Sequence, residues 1–397
     1  MTQVLQTSRP TRTSSIGLLV VAFVLVSFNL RIAFAGPGPL MKVLGLGGAA
    51  GSVLTTLPPL CLGLFAAIGV MVRNRLGEER ALFAAGIVLV LGLAVRLMGT
   101  AGLFVGTIVA SAGVAVANVI TPVLVKKRFP MERIGAMMGV YGFVVSLGAA
   151  VTAAVSYPLY EATGSTTWAL GIALIPAVVA LISLVPQLDR APAQAAAAPS
   201  WTWLLRDPLA WSVTGYFGMQ SLVLYVVFAW LPSIYVEKGT DQTTGGFYLS
   251  ICAMVLALGG FAGPALAARR QSQRRHLVLS AVLCFVGVLG ILLAPLATAP
   301  LWLVLLGLGI GSGQTIPSML YVLRTRDHHT AAALSTKSQT VGYLLGAAGP
   351  LLAEVLHAAA GTWDAALIGL LVLMAINVAL GLSAGRAKFI ENGPVAA

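Results

Sequence analysis

Acidic residues are scarce in this chain. Asp and Glu together number 12 among 397 residues, and charged residues of both signs make up only 9%, against roughly a quarter in a soluble globular protein. With 58% of residues hydrophobic, a single core this rich would leave too little polar surface to face water. Lipid must therefore solvate most of the chain, which excludes an ordinary soluble enzyme. Cysteine is equally sparse. Cys61, Cys252 and Cys284 lie singly within apolar runs, so no disulfide framework and no metal-ligand spacing is expected, and they read as small packing residues. Also missing are an H-E-x-x-H zinc motif, a Gly-rich phosphate loop and a polar segment long enough to fold as a catalytic or signalling domain. Neither a membrane enzyme nor a receptor is expected, and neither a metal nor a cofactor.

Long apolar runs are what the chain has instead. They fall at 15–39, 50–71, 81–98, 101–125, 135–158, 164–186, 208–236, 245–268, 277–296, 299–323, 332–357 and 362–384, each about long enough to cross a bilayer as a helix. Twelve spans put both termini on one side. Arg9 and Arg12 before the first run imitate a signal peptide, but the run has no small-residue cleavage pattern and reads as a retained helix. Lys and Arg number 24, an excess that could mark a nucleic-acid binder. Its placement argues otherwise: all but Arg31, Lys42, Arg96, Lys238 and Lys337 lie at the termini, in the polar linker or beside even-numbered turns. By the positive-inside rule those ends and turns are cytoplasmic, and no nucleic-acid partner is expected.

Residues 187–206 form the only extended polar linker, with the low-complexity stretch Ala191-Pro192-Ala193-Gln194-Ala195-Ala196-Ala197-Ala198-Pro199. Such a composition can neither anchor in lipid nor build a core, so it divides the chain into six-helix units at 1–186 and 207–397. An internal repeat supports the division. Leu30 to Ala35 matches Leu224 to Ala229, Asn118 and Pro122 match Gln314 and Pro317, and Leu147 to Ala150 matches Leu345 to Ala348, at a nearly constant offset. Two similar bundles related by an axis along the membrane normal, with solute bound between them at the midplane, form alternating-access geometry. Gly135 and Gly139 in helix 5, with Gly259 and Gly263 in helix 8, would let the bundles approach closely.

Asn29-Leu30-Arg31, Leu54-Thr55-Thr56-Leu57-Pro58, Gly113 to Pro122 followed by Lys126-Lys127-Arg128-Phe129-Pro130, and Ser338-Gln339-Thr340-Val341-Gly342-Tyr343 resemble the major facilitator superfamily. Within it they resemble the cyanate permease and 2-nitroimidazole transporter family. The resemblance spans nearly the whole chain. It implies an all-α membrane protein of twelve transmembrane helices in two pseudo-symmetric six-helix bundles. It further implies a bacterial inner-membrane transporter, here expected to be a monomer, that moves a small anion or compact polar molecule. The superfamily's Gly-x-x-x-Asp-Arg-x-Gly-Arg-Arg signature departs here: Val70 stands for the leading glycine and Asn74 for the acid, while Arg75 and Gly77 remain. The conformational latch attributed to that signature is thereby put in question.

Arg31 is the most informative residue. It lies about 15 residues into the first run, roughly 22 Å along a helix crossing a core about 30 Å thick. A central membrane arginine costs at least about 2.5–3.5 kcal/mol, so it faces a cavity or a partner. The central turns of the first six helices contain no Asp or Glu. A bound anion would fit the planar guanidinium fork, and an internal ion pair or a cage of carbonyls is the structural alternative. Other expected substrate contacts are Asn29, Thr55, Asn118, Tyr216, Gln220, Tyr225, Gln314, Lys337 and Gln339. Ser212, Tyr216 and Gln220 share one stripe of helix 7, and Tyr225 occupies the repeat position of Arg31. Lys337 reaches either the interface or the cavity. Trp211, Phe217, Phe228 and Trp230 offer stacking surfaces or interfacial anchors. Glu354 and His357 share a face towards the outer end of helix 11 and read as surface groups.

The expected function is secondary transport of a small, cyanate-like anion or planar polar solute. Export of neutral planar compounds such as nitroimidazole-like drugs is the alternative. No central carboxylate is present to relay protons, so a coupling ion or counter-anion is an expected partner beside the solute and the bilayer.

Overall fold

In lipid, helices form because only intrahelical bonds satisfy every amide and carbonyl of a spanning segment. The computed structural model describes residues 16–31, 40, 43–46, 48–188 and 201–390, and its regular elements are all helical. Helix α1 is Ile16–Asn29, α2 Gly48–Leu76, α3 Glu78–Val95, α4 Gly99–Arg128 and α5 Met131–Thr163. Helix α6 is interrupted, running as Thr166–Gly171 and Leu174–Leu184. A 3-10 segment, Trp201–Arg206, leads into α7, Pro208–Glu237. Then follow α8, Gln242–Ala267, α9, Arg274–Leu293, α10, Ala299–Leu323, α11, His328–Ala360, and α12, Asp364–Ala384. Arg9, Arg12 and the Ala- and Pro-rich linker lie outside the described residues.

Ten of these helices are long and apolar enough to span a bilayer. The two others are α1, whose apolar stretch is short, and α3, which opens with Glu78, Glu79 and Arg80. The first run was expected to be helical to residue 39; α1 ends at Asn29, where the Leu30 amide turns back to the Ser27 carbonyl at 3.2 Å, and residues 32–39 lie outside the described residues. Arg31 therefore stands just beyond the C-terminus of a helix, whose partial negative charge favours a cation there.

Several of the few acids are placed at helix starts. Asp207, Asp241 and Asp327 cap α7, α8 and α11, accepting from the amides of Ala210, Thr244 and Thr330 at 2.8–2.9 Å, each cap worth about 1 kcal/mol. Burial opposes the charge of Asp327, yet the Thr330 amide and hydroxyl and nearby His329 hold its carboxyl below the usual pKa. Glu78 and Glu79 open α3, where Arg73 Nε reaches Glu78 at 3.1 Å, Lys127 reaches Glu78 at 2.8 Å, and Arg128 bonds Glu79. The corresponding arginine after α10, Arg324, bonds Gln273 in place of an acid.

The N-terminal half meets the C-terminal half where α5 packs on α8 and α2 on α11. Gly135, Gly139 and Gly142 of α5 lie against Ala268, Phe261 and Gly260 of α8, and Gly63 of α2 lies against Leu344 of α11. The expected role of Gly259 and Gly263 needs correction. Both face α10, at Leu308 and Ser312, and it is Gly260 that meets the other half. A GxxxG spacing shows a close approach but not which neighbour makes it. At the basic end, Lys126 of α4 crosses to α10, donating to the Val322 carbonyl and the Thr325 hydroxyl, both at 2.9 Å, and to the Thr325 carbonyl.

A Cβ on Gly142 would sit 2.6 Å from the Gly260 carbonyl and 2.5 Å from Thr315 Cγ2. Gly142→Val is expected to destabilise the protein by about 1–3 kcal/mol, read as a lower melting temperature in detergent. Gly246→Ala, where an added methyl meets nothing within 4 Å, should leave the melting temperature unchanged or raise it.

Candidate functional site

Between the halves lies a cavity of about 40 Å³, lined by Leu30 and Arg31 just after α1 and by α2, α4 and α5 on one side, and by α7, α8, α10 and α11 on the other. At roughly 10–15 Å³ per water-sized probe it holds about three. Helices α3, α6, α9 and α12 contribute nothing to it and pack behind the lining helices. Prolines 58, 59, 122 and 317 lie inside lining helices, where each removes an amide donor from the ladder.

Arg31 lines this cavity. Among the described residues no carboxylate lies within ion-pair distance of it, since the ion pairs all involve other cations. Its guanidinium is within electrostatic reach of the phenols of Tyr141, Tyr225 and Tyr343. Asn118 lines the cavity, its Oδ1 accepting from Tyr141 at 2.9 Å. Its repeat mate Gln314 also lines it, with Nε2 donating to Ser221 at 3.2 Å. Gln339 is not among the lining residues but crosses the interface, its Nε2 donating to the Asn118 main-chain carbonyl at 3.2 Å and to Ser335 at 2.8 Å. Ser146, Thr315 and Ser318 add hydroxyls, while Phe217 and Tyr343 form an edge-to-face aromatic wall with ring centroids 5.2 Å apart.

Of the ten expected contacts only Arg31, Asn118 and Gln314 line the cavity; Tyr225 is not among the lining residues and packs on Gly346 of α11, Gln339 sits beside Asn118, and the other five lie elsewhere. Asn29 ties α1 to α6, donating to the Pro176 carbonyl at 2.9 Å. Thr55 is exposed on α2 and is not among the lining residues. Tyr216 and Gln220 do share a stripe, but it faces α9. Tyr216 donates to the Leu277 carbonyl at 2.7 Å, and Gln220 Oε1 takes Cys284 Sγ at 3.6 Å. Ser212 on the same stripe bonds Ser383 of α12 at 2.9 Å. A polar stripe avoids lipid equally well against a neighbouring helix of its own half. Lys337 is fully buried away from the cavity, its ammonium 2.8 Å from the Leu204 carbonyl and 3.9 Å from the centroid of the Trp211 ring. Neutral acceptors and a cation–π contact hold it there.

Tyr141 and Tyr343 were missed as cavity residues. The lipid-depth rule that singled out amides and hydroxyls applies equally to a phenol in mid-span, and Tyr343 sits in the run Ser338 to Tyr343. At the far end from the basic turns, His357 pairs with Glu237 of α7 at 3.2 Å, and not with Glu354. Its ring stacks on Trp363, which in turn lies 4.9 Å from Trp230.

The sequence profile of the Major Facilitator Superfamily matches residues 17–350. The 2-nitroimidazole transporter of Escherichia coli (strain K12) is 33% identical over 384 residues, covering 94% of this chain and 97% of the relative. The cyanate transport protein CynX of the same organism is 27% identical, covering 87% of this chain and 91% of the relative. Among solved structures, the proton:xylose symporter XylE superposes with a TM-score of 0.74 at 14% identity, covering 94% of this chain and 95% of that one. That last likeness is one of fold alone.

If Lys337 is a packing residue, Lys337→Met should leave the affinity for a bound solute unchanged, measured by titrated thermal shift. Weaker solute binding at an unaltered melting temperature would put the ammonium in the pathway.

Proposed function

The chain belongs to the major facilitator superfamily, as a transporter of the cyanate and 2-nitroimidazole transporter type, and from that premise we propose that it carries a small anion or compact planar solute anchored by Arg31. It is a multi-pass membrane protein whose partners are a small molecule and the bilayer. The finer reading rests on one observation, a guanidinium on the central cavity with no carboxylate among the described residues to neutralise it. A membrane-depth cation without a counter-charge is stabilised by an anion or by strong acceptors, and its planar fork suits a carboxylate-like or linear oxyanion.

In this reading the six-helix units 1–186 and 207–397, joined by the 187–206 linker, alternate about the cavity in a bacterial inner membrane. The end bearing Lys126, Arg128 and Arg324 faces the cytoplasm, together with both termini. The Lys126 bonds then close the cytoplasmic exit. Substrate contacts come from Arg31, Asn118, Tyr225, Gln314 and Gln339. Asn29, Thr55, Tyr216, Gln220 and Lys337 support the lining helices. An inside-negative potential opposes anion entry by about 2.3 kcal/mol per charge per 100 mV, so net uptake requires a co-transported cation or exchange for another anion.

A second reading, carriage of neutral planar compounds, is favoured by the aromatic wall of Phe217 and Tyr343 and by the relationship to a 2-nitroimidazole transporter. Under it Arg31 has a structural role beside the end of α1. Proteoliposome transport separates the two. Arg31→Gln is expected to lower cyanate transport by at least about tenfold, the equivalent of roughly 1.5–3 kcal/mol for a hydrogen bond to a charged group, while sparing 2-nitroimidazole. Arg31→Lys, which keeps the charge but loses the fork, should fall between. Unchanged cyanate transport in Arg31→Gln would remove the anion reading.

A further inference from the structure

The amide of Asn118 is held in one orientation by Tyr141, a neighbour on the same wall of the cavity. Tyr141 stands on α5 and Asn118 on α4, both almost fully buried. The phenol donates to Asn118 Oδ1 at 2.9 Å. A phenol has a single proton to give. Were the amide turned over, its Nδ2 could donate to the phenolic oxygen, but the phenol proton would then need another acceptor, and among the described residues Tyr141 has no other hydrogen-bond partner. Leaving a buried donor unmade costs about 1–3 kcal/mol. Arg31 adds to the bias, because its positive charge lies within electrostatic reach of the phenol and favours the oxygen facing it with the proton pointing away.

With Oδ1 occupied, the Nδ2 hydrogens of Asn118 have no protein acceptor among the described residues, and the side chain lines the cavity beside Arg31. The backbone of Asn118 is also fixed, through its carbonyl and Gln339. The repeat mate on the opposite wall is not biased in this way. Among the described residues Gln314 hydrogen-bonds only Ser221, at 3.4 Å through Oε1 and 3.2 Å through Nε2, and a hydroxyl both donates and accepts.

Resting on the reading of this cavity as the solute site, we propose that Tyr141 is a positioning residue. It turns the Asn118 amide so that Asn118 and Arg31 together present donors on the N-terminal wall, and so selects solutes whose polar edge is made of acceptors. A nitro, carboxylate or linear oxyanion edge satisfies both donors. An isosteric edge carrying N–H groups sets donor against donor.

The test uses two neutral planar probes of similar size, 2-nitroimidazole and imidazole-2-carboxamide, with cyanate as a third. Binding to the full chain is measured by titrated thermal shift, and KM and maximal rate in proteoliposomes. Wild type is expected to prefer the nitro compound by about tenfold or more, as a site built for one hydrogen-bonding pattern rejects the other. Tyr141→Phe keeps the ring and removes the hydroxyl. It should bring the ratio close to one, mainly through tighter carboxamide binding, in a protein that still melts cooperatively. In Asn118→Ala the ratio should already be lost, and adding Tyr141→Phe should change nothing more. A ratio that survives Tyr141→Phe, or an equal loss for both probes, would overturn the inference and leave the cavity reading intact. Wild-type binding of both probes without preference would do the same. Wild type that binds none of the three probes would overturn the cavity reading and this inference with it.

Discussion

A guanidinium held at lipid depth needs negative charge from somewhere, and the arrangement around the cavity follows from how little the chain supplies. Six of its acids are committed to other work. Asp207, Asp241 and Asp327 cap helices, Glu78 and Glu79 take Arg73, Lys127 and Arg128, and Glu237 takes His357. What faces Arg31 is the C-terminal end of α1, three phenols and an amide, groups that moderate a charge without cancelling it. A transporter needs such a site to be incomplete, since a fully neutralised arginine would have no differential affinity for a passing anion.

The two halves make unequal contributions to one nearly symmetric frame. Asn118 and Gln314 occupy matching places on α4 and α10, and the arginines ending these helices bind Glu79 in one half and Gln273 in the other. Charge follows the first half and neutral polarity the second: Arg31 is matched in the repeat by Tyr225, and Glu79 by Gln273. The crossing bonds obey the same division. Lys126 reaches from the first half into neutral carbonyls at the end of α10, a contact that needs no acid. This accords with a chain in which Asn74 stands where the superfamily signature has its aspartate.

The fold was largely readable from sequence because lipid imposes one period and one length on every element. Ten of twelve runs reappear as helices long and apolar enough to span, and the other two differ for local reasons, the short described helix ending at Asn29 and three charges at the start of α3. The site was only half readable. Penalties for polar groups at lipid depth pick out residues that avoid lipid without saying which way they turn. Arg31, Asn118 and Gln314 turn to the cavity, whereas Tyr216, Gln220 and Lys337 satisfy themselves inside the C-terminal half. One helical position, about 100°, separates Tyr216 from the cavity-lining Phe217, less than the uncertainty in any rotation read from an apolar run. The same ambiguity assigned Gly259 and Gly263 to the wrong neighbour.

The central claim is that Arg31 binds the solute's negative edge directly. Solid-state NMR on protein with 15N-labelled arginine, loaded with 13C-cyanate in lipid, measures it most directly. Dipolar coupling between the cyanate carbon and a guanidinium nitrogen, absent in Arg31→Gln, is the result expected. Bound cyanate that shows no coupling to any arginine nitrogen would contradict the account.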